Sequence, residues 1–259
     1  VISNRGFSKY FLTMNEITVI ANQIMLTGSG RGSAAGSLVA YALDITQVDP
    51  IKYGLLFSRF LRSDATDYPD IDYDVAEPMD LKDELINRWG DNVVAPISNW
   101  NTLQLKSLVK DISKLFGIPF TEVNNVTGKM MIEATGPAKE KHGIKSGVYT
   151  PTFEEVKQFS PTLQRFLVNY PHVAEHIDAL YGQVRSCSRH AGGVVIADNL
   201  DEYMPLISSK NVRQTPWSEG QNVRHLEPMG FIKFDLLGLS TLRMVDGAVR
   251  HILRRHHGI

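Results

Sequence analysis

Three aspartates alternate over residues 70–74, in the order Asp70-Ile71-Asp72-Tyr73-Asp74. On an extended strand every second side chain points to the same face, so the three carboxylates would lie side by side. Like charges on one face repel each other unless a cation lies between them, and carboxylate oxygens suit Mg²⁺. The spacing therefore predicts a metal site, which includes Asp74 only if the strand extends that far. A solvated edge strand or an acidic turn is the alternative.

A further carboxylate, Asp235, lies in an apolar, strand-like run over residues 230–237. An aspartate in such a run is either buried and paired or retained for function. Lys233, two residues before it, would share its face and is a candidate for a simple ion-pair partner. A third carboxylate from a second strand is what a two-metal site for phosphoryl transfer requires.

Glycines alternate in the segment that covers residues 28–37, which includes Gly30, Arg31, Gly32 and Ser33. Glycine allows the backbone to approach a ligand closely, and a glycine loop before a helix presents free N–H groups to phosphate. Arg31 adds positive charge and Ser33 a hydroxyl donor. The spacing matches neither the Walker A loop nor the dinucleotide fingerprint. We interpret the segment as a phosphate cradle, with an ordinary loop capped by Ser33 as the alternative.

The elements that must hold these residues suggest an α+β protein. Most of residues 91–171 has helical periodicity, and within it Lys106, Lys110 and Lys114 recur at intervals of four. Such a row can hold a DNA backbone or can be a solvated helix face. The other predicted elements that bear on the site are helices over 33–43, 50–61 and 240–256, and strands over 69–75 and 192–197.

Composition limits the possible functions. The chain has 259 residues, is 43% hydrophobic and carries a formal net charge of -1, so no global basic field marks it as a nucleic-acid binder. The one cysteine excludes an internal disulfide and fits a reducing cytoplasm. No apolar run of about 18 residues is present, so we expect no membrane span.

Four segments together resemble the bacterial family C replicative DNA polymerases. The glycine segment resembles that family's triphosphate-binding segment, and the alternating aspartates resemble its catalytic strand. Arg189-His190-Ala191-Gly192-Gly193-Val194-Val195-Ile196 and Ile232-Lys233-Phe234-Asp235-Leu236-Leu237-Gly238-Leu239 match two further strands. Ser29 stands where the family has proline, and residues 62–68 and 198–222 diverge, so we predict a phage or otherwise divergent member.

The resemblance implies a fold and a set of site residues. The fold is a polymerase beta-like nucleotidyltransferase palm with an inserted helical thumb. Two Mg²⁺ ions, replaceable by Mn²⁺, would be held by Asp70, Asp72 and Asp235. Nucleotide contacts would come from Gly30, Arg31, Gly32, Ser33 and Lys233. The residue pattern itself, and not the resemblance, makes Lys106, Lys110, Lys114 and His190 candidate DNA contacts. A structural hydrogen bond is the simpler role for His190. The implied domains are palm over 1–91 and 176–245, thumb over 92–175, and the start of a connection to the fingers over 246–259.

The implied activity is template-directed addition of deoxynucleotides to a primer 3′ end by two-metal catalysis. The implied partners are primer-template DNA, deoxynucleoside triphosphates, the remaining polymerase domains and a sliding clamp. The match begins inside the palm, so we expect weak or no activity from this chain alone. A template-independent nucleotidyltransferase and a DNA-binding fragment that is inactive without its fingers are the alternatives.

Overall fold

The computed structural model describes residues 1–64, 68–219 and 224–258. Residues 65–67, 220–223 and 259 lie outside the described part of the chain, and these include parts of both divergent segments noted above. The chain forms two compact units. Unit 1 comprises residues 1–99 and 187–259, and unit 2 comprises residues 100–186. Within the described ranges, no helix has both the length and the apolar character that crossing a membrane requires.

A four-stranded mixed sheet and a short two-stranded sheet contain the strands. The four-stranded sheet has the order β1-β6-β3-β2, and the small sheet pairs β4 with β5. β6 runs parallel to β1 and antiparallel to β3. The mixed α+β class predicted from the sequence is thereby confirmed at this level. The strands are β1 Asp72–Val75, β2 Val94–Thr102, β3 Val184–Ile196, β4 Ile207–Ser209, β5 Val212–Gln214 and β6 Lys233–Gly238.

Helix α1 (Ser8–Ile24) covers one face of this sheet. Its buried side chains recur at helical spacing, which gives the helix one apolar face. That face joins a core that includes Tyr73 of β1 and Phe234 of β6. The other helices of unit 1 are α2 Leu38–Ala42, α3 Pro78–Trp89, α9 Leu200–Tyr203 and α10 Ser240–His257.

Unit 2 is built around its own helical core. In α4 the buried residues Leu105, Leu108, Val109 and Ile112 form one stripe, as a half-buried helix requires. The helices are α4 Leu105–Leu115, α5 Phe120–Lys141, α6 Phe153–Phe159, α7 Pro161–Asn169 and α8 Pro171–Leu180.

Three of the predicted elements differ from the structure. Residues 50–61 hold only a 3₁₀ turn, because Gly54 at φ 61° interrupts the helical pattern. The segment 94–102, expected to be helical, is strand β2, in which Val94 and Ala95 pack into different clusters on opposite sides of the sheet. The predicted helix over 33–43 is a 3₁₀ turn followed by the short α2.

A buried carboxylate anchors the start of α6. Thr152 and Glu155 form a capping box, in which each side chain bonds to the backbone N–H of the other residue. The Glu155 carboxylate also lies 2.5 Å from Nε2 of His142 and accepts a hydrogen bond from the Tyr149 hydroxyl at 2.8 Å. The backbone N–H of Thr152 and the imidazole of His142 lower the pKa of Glu155 to about 2.

We expect Glu155→Gln to destabilise unit 2 at neutral pH and to reduce its sensitivity to acid. A carboxylate whose folded-state pKa is lowered adds stability above its unfolded pKa, near 4.5, and loses it as the pH falls towards about 2. Urea unfolding followed between pH 7 and pH 2 measures this effect, with the exposed Glu140→Gln as the matched control. Equal acid sensitivity of wild type and Glu155→Gln would contradict the assignment.

Candidate active site

The pairing of β1 with β6 places two of the predicted carboxylates side by side. Asp72 and Asp235 are direct register partners in this parallel pair. Their immediate neighbours Tyr73, Phe234 and Leu236 point to the opposite side and lie in the core. Strand alternation therefore directs the apolar side chains inward and leaves both aspartates on the other face of the sheet.

Asp70 joins these two carboxylates from the residues that lead into β1. One carboxylate oxygen from each of Asp70, Asp72 and Asp235 can be chosen so that all three lie within 4.8 Å of one another. Asp70 is exposed, Asp72 is half-buried and Asp235 is buried at 7% exposure. The structure thus brings together the three predicted ligands from two strands about 160 residues apart in sequence.

Tyr10 of α1 braces this arrangement from behind the sheet. Its buried hydroxyl accepts a hydrogen bond of 3.3 Å from the backbone N–H of Ile71, between the first two aspartates. Its ring stacks on Phe234, next to Asp235, with ring centroids 4.7 Å apart. Sequence reasoning missed this role, because a tyrosine beside Phe11 on an amphipathic helix is typical of a core residue.

The negative charges of the cluster are only partly compensated by the protein. Loss of surrounding water and the negative charge of Asp235 both raise the pKa of Asp70 and of Asp72. Lys233 donates to Oδ2 of Asp235 at 2.6 Å, so the predicted ion pair between them is present.

The second oxygen of Asp235, Oδ1, is buried and has no hydrogen-bond partner among the residues that the structure describes. A buried carboxylate oxygen without a partner is costly in free energy, and a bound cation would satisfy it. Three clustered carboxylates with one such oxygen fit the hard, oxygen-rich ligand set that Mg²⁺ prefers.

The glycine segment lies directly against the carboxylate strand. The N–H of Gly28 donates to the carbonyl oxygen of Asp74 at 2.8 Å. A β-carbon on Gly28 would approach the β-carbon of Asp74 to 2.7 Å, and one on Gly32 would approach Oδ2 of Asp72 to 3.1 Å. The two sequence motifs therefore form one site, and glycine is needed where the loop passes the carboxylates.

The loop is braced from both sides. Gly30 has φ 148°, and a β-carbon there would come within 2.4 Å of the Thr46 hydroxyl. Arg31 pairs with Asp74 at 3.1 Å, and its side chain remains half exposed. Ser33 is exposed and opens the 3₁₀ turn Ser33–Gly36. Because that turn has only four residues, the helix dipole expected at this position is small. Binding of phosphate by this loop stays a prediction, and it would depend on the loop N–H groups and on Arg31.

Arg59 is a site candidate that the sequence reasoning did not select. It lines a cavity of about 340 Å³ together with Gly32 and Ser33 at the end of the glycine loop. Its side chain is exposed and lies in a 3₁₀ turn, so its charge is available to a ligand in the cavity. Its position just after the apolar Leu55-Leu56-Phe57 segment gave no local signal of this role.

His190 lies on the strand that pairs with β6 on its other side. Gly193 of β3 is the register partner of Asp235. Nδ1 of His190 accepts hydrogen bonds from the backbone N–H groups of Gly192 at 3.2 Å and of Gly193 at 2.6 Å. The structural hydrogen bond expected as the simpler role of His190 is therefore present, and a contact with DNA stays a prediction.

The predicted lysine row lies in unit 2, on α4. Lys106 and Lys114 are exposed, whereas Lys110 is half-buried. The ammonium of Lys110 donates to the side-chain oxygen of Asn124 at 2.9 Å and lies 5.8 Å from the ring centroid of Phe120. Lys110 therefore also contributes to packing within unit 2, and a role of the row in DNA binding stays a prediction.

Comparison with known proteins identifies a consistent set of relatives. Residues 1–238 match the family described as the bacterial DNA polymerase III alpha NTPase domain. The chain is 36% identical to DNA polymerase III subunit alpha of Borreliella burgdorferi, over 96% of this chain and 21% of that protein. It is 33% identical to the subunit of the same name from Buchnera aphidicola, over 97% of this chain and 21% of that protein. It is also 33% identical to the subunit of that name from Thermus aquaticus, over 100% of this chain and 20% of that protein. The chain thus spans about a fifth of the length of the curated relatives that it matches.

Proposed function

Since this chain belongs to the bacterial DNA polymerase III alpha family, we propose that it supplies the catalytic palm and thumb of a replicative DNA-directed DNA polymerase. The palm would correspond to unit 1, with the polymerase beta-like nucleotidyltransferase fold, and the thumb to unit 2. The reaction is attack of a primer 3′-hydroxyl on the α-phosphate of a deoxynucleoside triphosphate, with release of pyrophosphate.

The observation that carries this proposal is the approach of the carboxylate oxygens of Asp70, Asp72 and Asp235 to within 4.8 Å of one another, beside the glycine loop. Two Mg²⁺ ions, when bound there, would activate the attacking hydroxyl and stabilise the charge on the leaving pyrophosphate. Asp70 and Asp72 would bind both ions, and Asp235, from the adjacent strand, would help to hold the ion that activates the hydroxyl.

The glycine loop and the nearby cations are the proposed contacts for the triphosphate. Gly32 and Ser33 offer their backbone N–H groups and the serine hydroxyl, and Arg31 offers positive charge beside Asp74. Lys233 compensates the charge of Asp235 from 2.6 Å and lies on the face that a phosphate would approach. Positive groups placed here stabilise the charge that develops on the phosphate oxygens in the transition state.

The proposed partners follow from the same assignment. Primer-template DNA would be held in part by Lys106, Lys110 and Lys114, and the fingers and a sliding clamp would act through the parts of the polymerase beyond this chain. The relatives' replication role favours the cytoplasm as the compartment. A phage or otherwise divergent origin is also proposed, on the ground that Ser29 and residues 62–68 and 198–222 depart from the family pattern.

A titration with Mn²⁺ tests the metal site directly. We expect the chain to bind Mn²⁺ in the presence of a deoxynucleoside triphosphate, and Asp235→Asn to weaken the binding by at least about 10- to 100-fold, because one ligand is lost. Paramagnetic broadening of signals from residues near the site measures the affinity, with the exposed Asp80→Asn as the matched control. Equal binding by wild type and Asp235→Asn, or no binding by either, would contradict the assigned site.

A further inference from the structure

Helix α3 contributes a lysine that is completely buried. Lys82 has 0% exposure, and its ammonium donates to the backbone carbonyl oxygens of His190 at 2.8 Å and of Ala191 at 2.9 Å. Fully buried lysines are rare, because the charge loses its water. The loss of water around this ammonium is therefore compensated by its two hydrogen bonds to residues 190 and 191.

The two carbonyl contacts identify a local break in strand regularity. Successive carbonyl groups of a regular strand point in opposite directions, so one ammonium cannot reach both. Pairing of β3 with β6 also stops at Gly193, the register partner of Asp235. Four backbone groups of this segment bond to side chains: Lys82 donates to the two carbonyl oxygens, and Nδ1 of His190 accepts from the N–H groups of Gly192 and Gly193.

This break places the ring of His190 on the face of the sheet that holds the carboxylates. A β-carbon on Gly193 would lie 3.0 Å from Nδ1 of His190 and 3.3 Å from Cδ of Lys233. Register partners share a face, so Gly193 and Asp235 point the same way, and the histidine ring occupies the space left by the missing side chain. Irregular strand segments of this kind commonly re-aim a side chain beside an active site.

The hydrogen bonds of Nδ1 also determine which nitrogen carries the proton. Nδ1 accepts two backbone N–H groups, so it has no hydrogen, and the proton of the neutral ring must lie on Nε2. Burial keeps the pKa of His190 below its usual range, which favours this neutral ring. In the described part of the chain Nε2 has no hydrogen-bond partner, so its N–H is available as a donor.

We propose that Lys82 is a positioning residue that holds residues 190–193 so that Nε2–H of His190 donates a hydrogen bond to a phosphate oxygen bound at the carboxylate site. This inference rests on the proposed phosphoryl transfer and adds to it a residue that does not touch the substrate. The phosphate is that of the incoming nucleotide or of the primer-template backbone, which offer the same acceptor chemistry.

The surroundings of Lys82 are consistent with a positioning role. Burial, with a smaller contribution from the charge of Arg189, lowers the pKa of Lys82 to about 8, so the ammonium remains the main form at neutral pH. Asp83 lies 3.6 Å from Arg189 and balances that second cation. Among the residues that the structure describes, Lys82 has no carboxylate partner, and its ammonium donates to two backbone oxygens.

The tautomer of His190 provides a test that needs no catalysis. We expect the ¹⁵N shifts of the His190 ring in the wild-type chain to show a proton on Nε2 only. In Lys82→Met, which keeps most of the length of the side chain but has no donor, both tautomers should be populated, whereas Lys82→Arg should restore the single form. A wild-type proton on Nδ1, or an unchanged tautomer in a folded Lys82→Met, would overturn the proposal.

Adding ligands separates the two sources of phosphate. A deoxynucleoside triphosphate with Mg²⁺ in one sample, and primer-template DNA in another, should shift Nε2–H of His190 if that ligand brings the acceptor. A shift with only one of them identifies the source, and no shift with either overturns the phosphate contact. The tautomer does not depend on turnover, so a failure here is distinct from a failure of the proposed polymerase activity.

A double-mutant cycle tests the route of the effect in the polymerase that carries this chain. We expect Lys82→Met to lower kcat for primer extension by about 10- to 100-fold with little change in KM, because small misplacements at a reacting centre are costly. The same substitution in a His190→Ala background should cost no more than His190→Ala alone. Exposed Lys9→Met is the matched control, and additive losses would show that Lys82 does not act through His190.

Discussion

Primer extension by the polymerase that carries this chain should fall by at least about 10³-fold when Asp72 is replaced by asparagine, since several kcal/mol of charge stabilisation are lost. Asp72 is the register partner of Asp235, and its carboxylate also lies beside Gly32. It therefore has the central position between the third carboxylate and the glycine loop. Asparagine keeps the shape of the side chain but removes the charge that a divalent cation requires.

The rest of the molecule should be unaffected by this change. The pKa of Asp72 is raised by loss of surrounding water and by Asp235, so its ionisation opposes folding in the absence of metal. Asp72→Asn should therefore be at least as stable as wild type without metal at neutral pH, and should still bind DNA. Single-turnover extension, thermal unfolding and DNA binding measure the three properties, with Asp80→Asn as the control. Primer extension by Asp72→Asn at the wild-type rate would contradict the assignment of Asp72 as a catalytic residue.

Gly32→Ala should have the second largest effect, through the shape of the loop. Gly32 has φ 61° and ψ -154°, a region that is open essentially to glycine alone and costs other residues about 1–3 kcal/mol. The added methyl group would also lie 3.1 Å from Oδ2 of Asp72. We expect about 10- to 100-fold weaker binding of the deoxynucleoside triphosphate, because the loop must move away from the carboxylates.

Gly54→Ala is the matched control for this substitution. Gly54 has the same φ of 61°, but a β-carbon there would meet nothing within 4 Å. Gly54→Ala therefore adds a methyl group at the same positive φ without the contact at the site. Calorimetric titration of both variants with the nucleotide separates the two causes, and equal affinities would show that the position of Gly32 at the carboxylates has no importance for binding.

Much of the candidate site follows from local rules. The alternation of Asp70 and Asp72 places them on one face if the segment is extended, and an aspartate inside the apolar run at 230–237 stands out against its neighbours. The alternating glycines likewise indicate a backbone that must pass close to something. These signals are carried by residue type and spacing, so no knowledge of tertiary contacts is needed to detect them.

The features that the sequence does not predict depend on contacts between segments that are distant in the chain. Lys82 lies on an amphipathic helix, where a lysine is typical of the solvated face, and only the carbonyl groups at 190 and 191 explain its burial. The helical periodicity of residues 91–171 predicts a helix where strand β2 lies. The apolar run of β2 is buried on both faces of the sheet, so its sequence lacks the alternation that marks a half-exposed strand. Arg59 lines the same cavity as Gly32 because the fold brings their two segments together, and no sequence pattern links them.

The parallel pairing of β1 with β6 also bears on how the protein reaches its native state. Its two strands are joined by about 160 residues of intervening chain, so the pairing carries a large loop-closure entropy and is expected to form late. Until then Asp72 and Asp235 are far apart, and the three carboxylates cannot act as a chelating group. Acquisition of divalent-cation affinity during refolding would consequently be a specific kinetic marker of completed topology, separate from the earlier gain of helical signal.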